Sequence, residues 1–268
     1  MEQLIYSIHN MRCAYNLNQI VLHIEQLDIP KGKVVFFVGP SGVGKSTILE
    51  TLGLMNRTIV SVDQFKYRDR DLSHAFDWDD AQLSNIRNEE FSFVFQQNNL
   101  MPNFSAQENI ITAALFQGEA KHSASKRTID VLRKLDLPIE DRPINQYSGG
   151  QQQRIAFARA ILPKFTVLFG DEPTGNLDKI SADNLMHTLV STIHETESTA
   201  IIVSHDISLS IKYADMIVQI KKETANGQGS YGRVSASSIF VKDGEIWGNQ
   251  NNHYTNIEME NNLIEGLR

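Results

Sequence analysis

Short apolar runs alternate with longer stretches of helical period along most of this chain, a pattern that predicts an α/β protein with a mainly parallel sheet. The first thirty residues read as antiparallel strands. Ile20, Leu22 and Ile24 alternate with His23 and Glu25, and the parity then slips to Leu27 and Ile29, which predicts a bulge or bend. VVFFV (34–38) is a buried strand that meets a glycine-rich loop and then a helix over about 45–55. TIVSV (58–62) is a further strand candidate. Residues 66–80 are charge-dense, end in the acidic DWDD (77–80) and read as a solvated loop.

FSFVF (91–95) is the next strand, and Ser105-Ala-Gln-Glu108 is a capping box that opens a helix through Leu115. Helices are predicted over 123–135, stopped near Pro138, over 148–162 and over about 179–194. TVLF (166–169) and AIIVS (200–204) are buried strands. DMIVQI (215–220) and SIFVKD (238–243) flank a Gly/Ser-rich stretch that reads as a long hairpin loop. The tail from Gly248 is rich in Asn and is expected to be loosely ordered.

The length, 268 residues, allows one large domain or two small ones, and 41% hydrophobic residues suffice for a sizeable core. A net charge of -7 argues against a dedicated nucleic-acid binder. Cys13 is the only cysteine, which excludes an intramolecular disulfide framework, fits a reducing compartment and reads as a small core residue. The longest apolar run is Val34–Val38, far short of the roughly 20 residues that span a bilayer. The N-terminus, MEQLIYSIHN, lacks the basic flank and apolar stretch of a signal peptide. The expectation is a cytosolic-type chain whose membrane role, if any, comes through a partner.

Gly39-Pro40-Ser41-Gly42-Val43-Gly44-Lys45-Ser46-Thr47 fits G-x-x-x-x-G-K-[ST] between a strand and a helix, the context that motif requires. Successive N–H groups in such a loop cradle an anion, and the helix N-terminus adds partial positive charge. Lys45 places a point charge on the β- and γ-phosphates, and Ser46 offers a hydroxyl to Mg²⁺. Further on, TVLFG runs into Asp171-Glu172. A strand that ends in adjacent carboxylates suits metal-assisted phosphoryl transfer, with Asp171 near Mg²⁺ and Glu172 polarising the attacking water.

At Tyr147-Ser148-Gly149-Gly150-Gln151-Gln152-Gln153-Arg154 the chain resembles the ABC ATPase family, whose signature is SGGQ. The resemblance runs from about residue 4 to 247, with the motifs in the family's order. It implies an ABC ATPase domain over 1–247 with a helical subdomain over about 98–160, and leaves 248–268 as an Asn-rich tail. The implied fold is a P-loop core with a mainly parallel sheet, an N-terminal antiparallel β-subdomain and that helical subdomain. Tyr15 resembles the adenine-stacking aromatic, with Tyr6 as a competitor. Gln96 looks like the Q-loop glutamine, near Mg²⁺, and its neighbour Gln97 is the alternative. Glu172-Pro-Thr-Gly-Asn-Leu-Asp178 resembles the catalytic glutamate followed by the D-loop, and His205 resembles the switch histidine. The other seven His show no metal spacing.

The resemblance further implies a head-to-tail dimer, of two copies or with a similar cassette. In it Ser148, Gly149, Gly150 and Gln151 of one subunit cap the γ-phosphate held by the other, with Asp178 at the seam. ATP and Mg²⁺ are the implied ligands, and no nucleic acid is expected. The pieces FVFQ, GNLD and SGGQQQR look like the lipoprotein-release, macrolide-export and cell-division group, whose ATPases drive membrane subunits. A peripheral position on the cytoplasmic face follows, with an integral membrane partner docking near Gln96 and Asn98–Phe104. The alternative is a regulatory ATPase that gates a membrane partner or cell-envelope hydrolase without moving a substrate. Two stretches depart from the family pattern: 57–80 lacks the usual glycine turn, and 221–238 lengthens a hairpin that is normally tight. Gly170 before Asp171 is a milder change.

Overall fold

Between residues 34 and 219 helices separate the strands that pair in parallel, as the apolar pattern predicts, whereas toward both ends of the chain strands follow one another and pair mostly antiparallel. In chain order the elements are β1 (Leu4–Asn16), β2 (Gln19–Pro30), β3 (Val34–Val38), α1 (Lys45–Leu52), β4 (Ile59–Ser61), β5 (Gln64–Tyr67), β6 (Arg70–Asp71) and α2 (Asp80–Glu90). Next come β7 (Phe91–Val94), α3 (Ala106–Phe116), α4 (Lys121–Lys134), α5 (Gly149–Ile161), β8 (Val167–Asp171) and α6 (Lys179–Thr196). The chain closes with β9 (Thr199–Val203), α7 (Ile207–Tyr213), β10 (Met216–Gln219), β11 (Lys221–Ala225), β12 (Gly229–Val234), β13 (Ile239–Asp243), β14 (Ile246–Gly248), β15 (His253–Thr255) and α8 (Asn256–Glu265). This computed structural model describes residues 3–16, 19–140, 142–225 and 229–267. Two compact units result, one from 1–83 and 199–268, the other from 84–198.

The first unit holds a sheet in the order β11-β12-β2-β1-β5-β6, with β4 also pairing β1. It holds a second run of strands, β15-β14-β13-β10-β3-β9, in which β3 lies parallel to both β9 and β10. All five residues of β3 (VVFFV) and of β9 (TAIIV) are buried, as near-continuous apolar runs require of a parallel strand covered on both faces. The second unit pairs β7 parallel to β8 and packs α5 against β7, with α3, α4 and α6 each against α5. Phe91 and Phe93 both pack on Phe169, with ring centroids 5.2 Å apart in each pair.

The parity slip in β2 is real, and it has a partner. β1 slips too, from Ile8 to Met11, so the register stays unbroken from Tyr6↔Ile29 to Cys13↔Leu22. Asn10 takes φ +49 at the slip, a conformation Asn tolerates better than most residues. Cys13 is buried, as expected. Helix α1 stops at Leu52, short of the predicted Met55, because Gly53 caps it and Leu54 turns left-handed at φ +56.

Three expectations are corrected. Residues 66–80 are not one solvated loop: Tyr67, Leu72 and Ala75 are buried among the charges, which face solvent. Asp79 then helps start α2, accepting from the Gln82 N–H at 2.8 Å. The stretch after β10 is not a long hairpin loop: β11 and β12 form an antiparallel ribbon, and β12 joins the first sheet parallel to β2. The segment from Gly248 is not loose: Thr255 caps α8 through a capping box with Glu258, and Met259 and Leu263 are fully buried one helical turn apart. Helices α2 and α7 appear where the sequence pattern gave no prediction. Among the described residues, no helix is long and apolar enough to cross a membrane.

Candidate functional site

In the first unit, the glycine-rich loop leaves the C-terminal end of β3 and runs into α1. The turn needs Gly42 at φ +74 and Gly44 at φ +99, values that L side chains disfavour. Gly44 is also the N-cap of α1, and it brings no side-chain oxygen to the first N–H groups of the helix. Those groups and the helix dipole therefore suit an anion. Lys45 is almost wholly buried inside the loop, its Nζ donating to the carbonyls of Gly39 and Pro40 at 2.8 Å each. Ser46 is exposed at the helix start, whereas Thr47 is buried.

Tyr15 and Tyr6 are told apart by burial. Tyr6 is 0% exposed and donates its hydroxyl to the Leu52 carbonyl, so its ring is core. Tyr15 is 61% exposed, with its hydroxyl 3.1 Å from Thr47 Oγ1 at the base of the phosphate loop. Its ring offers a face to a planar ligand. His205 follows β9, the parallel neighbour of β3, and is exposed. It is anchored from both sides: the Ser204 N–H donates to Phe37 O, and Asp206 caps α7 by accepting from the Leu209 N–H. Thus Tyr15, the loop and His205 belong to one unit, with the loop and His205 at the C-terminal ends of adjacent parallel strands. Ligands of open α/β sheets bind at such ends.

In the second unit, Gln96 follows β7 and Asp171 ends β8, the two strands being parallel neighbours. Gln96 and Gln97 are both exposed, so burial does not separate them. Glu172 takes φ +50, an uncommon angle for a residue with a side chain, and its carbonyl accepts from the Gly175 N–H at 3.1 Å. Asp178 caps α6, accepting from the N–H groups of Ile180 and Ser181 and from the Ser181 hydroxyl. The Ser181 hydroxyl, then its N–H, holds the Asp178 carboxyl below the usual carboxylate range.

Helix α5 begins in the signature. Ser148 is its N-cap, accepting from the Gln151 N–H, while the Gln151 side chain reaches back to the Ser148 N–H at 3.0 Å. Gly149 is exposed, and a Cβ built there would meet nothing within 4 Å. A Cβ on Gly150 would lie 3.3 Å from Leu177 of the D-loop.

One residue of this region has a role that sequence reasoning missed. Gln153 is fully buried; its Nε2 donates to Pro173 O at 2.7 Å, and its Oε1 accepts from the Asn176 N–H at 3.0 Å. It therefore ties α5 to the turn that carries Glu172. Arg159, at the other end of α5, donates to the carbonyls of Asn98 and Asn99 at 2.8 and 2.7 Å. The same helix thus grips the segment after Gln96. Buried Asn109 pins that segment too, accepting from the Met101 N–H and donating to Met101 O. The polar residue types in SGGQQQR and in the capping-box helix gave a hint, but three consecutive glutamines hide which one turns inward.

Ser46 in the first unit, and Gln96 and Asp171 in the second, each carry a side-chain oxygen, the donor type that Mg²⁺ takes.

Residues 22–175 match the family model described as ABC transporter. The lipoprotein-releasing system ATP-binding protein LolD of Myxococcus xanthus is 35% identical over 77% of this chain and 92% of its own length. The uncharacterised ABC transporter ATP-binding protein MJ0796 of Methanocaldococcus jannaschii is 33% identical over 82% of this chain and 87% of its own. The macrolide export ATP-binding/permease protein MacB of a Shewanella species is 36% identical over 75% of this chain, but that match covers 30% of the longer protein. A dimeric structure of MJ0796 in a post-hydrolysis state, bound to ADP and Pi, superposes with a TM-score of 0.69 at 29% identity, covering 80% of this chain and 93% of that one. The nucleotide-loop geometry, the capped signature helix and these likenesses agree: the chain belongs to the ABC transporter family.

Proposed function

We propose that this ABC ATPase is the ATP-hydrolysing subunit of a membrane complex, and that it couples closure of a dimer to work done by integral membrane subunits. The observation that carries the reading is the phosphate loop: a buried lysine folded among loop carbonyls, ahead of a helix whose cap is a glycine. Lys45 and the N–H groups at the start of α1 bind the β- and γ-phosphates of ATP, and Tyr15 stacks on the adenine. Ser46, Asp171 and Gln96 are the residues that would hold Mg²⁺, and a bound Mg²⁺ would supply positive charge to the phosphates. Glu172 accepts a hydrogen bond from the attacking water and takes its proton as the water's oxygen bonds to the γ-phosphorus and the bond from that phosphorus to the β–γ bridging oxygen breaks, leaving ADP and phosphate. His205 contacts the γ-phosphate and helps orient Glu172 and that water.

The signature works in trans. Ser148, Gly149, Gly150 and Gln151 cap the γ-phosphate held by a second copy or a similar cassette. Open space around Gly149 supports that approach. Asp178 lies at the seam beside Ile180, which is 74% exposed. The segment 98–104, gripped by Arg159 and Asn109, receives the membrane partner, which puts the chain on the cytoplasmic face. The reading is tested by phosphate release from ATP, with and without Mg²⁺, in wild-type, Lys45→Ala and Glu172→Gln protein. Lys45→Ala loses charge-assisted hydrogen bonds of about 1.5–3 kcal/mol, so its ATP affinity falls by roughly 10- to 150-fold. Glu172→Gln keeps that affinity while turnover drops by about 100-fold or more. Near-normal turnover in Glu172→Gln, or no wild-type hydrolysis even beside the co-purified membrane subunit, contradicts the proposal.

A further inference from the structure

The β11–β12 ribbon occupies the stretch where the family's hairpin is tight, and it stands directly behind the phosphate loop. We propose that this ribbon fixes the shape of that loop, with Gly232 as the positioning residue, and so sets the affinity for the nucleotide. The inference rests on the phosphate-loop reading given above.

A Cβ added to Gly232 would stand 2.0 Å from the carbonyl oxygen of Val43 and 2.8 Å from Cγ2 of Ile220. Val43 lies two residues before Lys45, and the group in the way is backbone, so no rotamer change relieves the clash. Ile220 braces the other end of the loop. Its N–H donates to Val38 O at 2.7 Å, and its carbonyl oxygen lies 2.7 Å from where a Cβ on Gly39 would stand. On β2, Val21 O sits 3.2 Å from the corresponding position on Gly44. The loop is therefore backed at Gly39 by Ile220, at Val43 by Gly232 and at Gly44 by β2.

The ribbon itself is held firmly. β12 pairs with β2 from Gly232↔Leu22 to Val234↔Ile24, and Val234 is fully buried. Arg233 donates to Glu25 of β2 and to Glu223 of β11, each at 2.9 Å. Nothing in the ribbon needs to touch nucleotide; it acts by denying the Val43 carbonyl room to retreat. Hydrogen bonds weaken steeply as donor and acceptor move out of line, so the N–H groups of the phosphate cradle are sensitive to this packing.

The test titrates a fluorescent ATP analogue with Mg²⁺ into full-length wild-type, Gly232→Ala and Ser230→Ala protein, with steady-state ATPase and thermal unfolding measured alongside. Wild-type binding checks the phosphate-loop reading by itself; the variants check the ribbon. Gly232→Ala is expected to weaken binding by about tenfold or more and to raise KM with kcat at saturation within about twofold, while exposed Ser230→Ala leaves both unchanged. A folded Gly232→Ala protein with wild-type affinity overturns the inference. If Gly232→Ala does not fold, Arg233→Gln decides, because it loosens the ribbon without adding an atom to the packed face. Binding weakened about threefold or more supports the role, and wild-type binding overturns it.

Discussion

Glu172 holds φ +50, an angle that persists only where surrounding contacts fix it. Gln153 supplies that fixing through Pro173 O and the Asn176 N–H. Gln153→Ala leaves a buried carbonyl without its donor, a loss of about 1–3 kcal/mol. The expected result is a lower kcat at nearly constant ATP affinity, read from phosphate release and equilibrium binding; an unchanged kcat refutes the clamp. At Tyr15, base stacking is worth about 1–3 kcal/mol, so Tyr15→Ala weakens ATP binding by roughly 5- to 150-fold. Tyr15→Phe keeps the ring face and loses only the hydroxyl contact with Thr47, so its affinity stays near wild type. Equal losses in both variants would move the role from the ring to the hydroxyl. The phosphate loop and the Asp171-Glu172 strand end stood out as residue types at a fixed spacing, whereas SGGQ stood out by its resemblance to the ABC ATPase signature. The three glutamines at 151–153 were not separable by type: one caps α5, one bonds the carbonyls of Ile144 and Tyr147, and one turns into the core. Only their roughly 100° steps around the helix assign them.

Elements with strong periodicity were readable and those with weak periodicity were not. The buried strands β3 and β9 and the capping-box helix α3 follow directly from apolar runs and from Ser105 with Glu108. Helix α8 was hidden because its apolar stripe rests on Met259 and Leu263 in an Asn-rich sequence, although Thr255 and Glu258 form a capping box that the sequence does display. Ribbon β11–β12 was hidden because glycine and serine dilute its alternation, and its strand character comes from pairing with β2. Since α8 packs through those two side chains, Leu263→Ala removes a fully buried group and costs about 2–5 kcal/mol of stability. Chemical denaturation measures this loss; a change under about 0.5 kcal/mol would mean that α8 contributes no core.

At the scale of the whole molecule, the motifs divide between two units of one chain, the phosphate loop and His205 in one and the signature, Asp171 and Glu172 in the other. The proposed assembly adds a second cassette, so that each nucleotide is held by one subunit's loop and capped by the other's signature. Binding energy then appears as dimer stability, and hydrolysis removes it. The most direct test is sedimentation velocity of the Glu172→Gln protein with ATP and Mg²⁺, with ADP, and with a Ser148→Arg change added. A dimer with ATP alone, which reverts to monomer with ADP and fails to form when Ser148 is replaced, is the predicted result. A Glu172→Gln protein that binds ATP yet stays monomeric, even beside its membrane partner, contradicts the account.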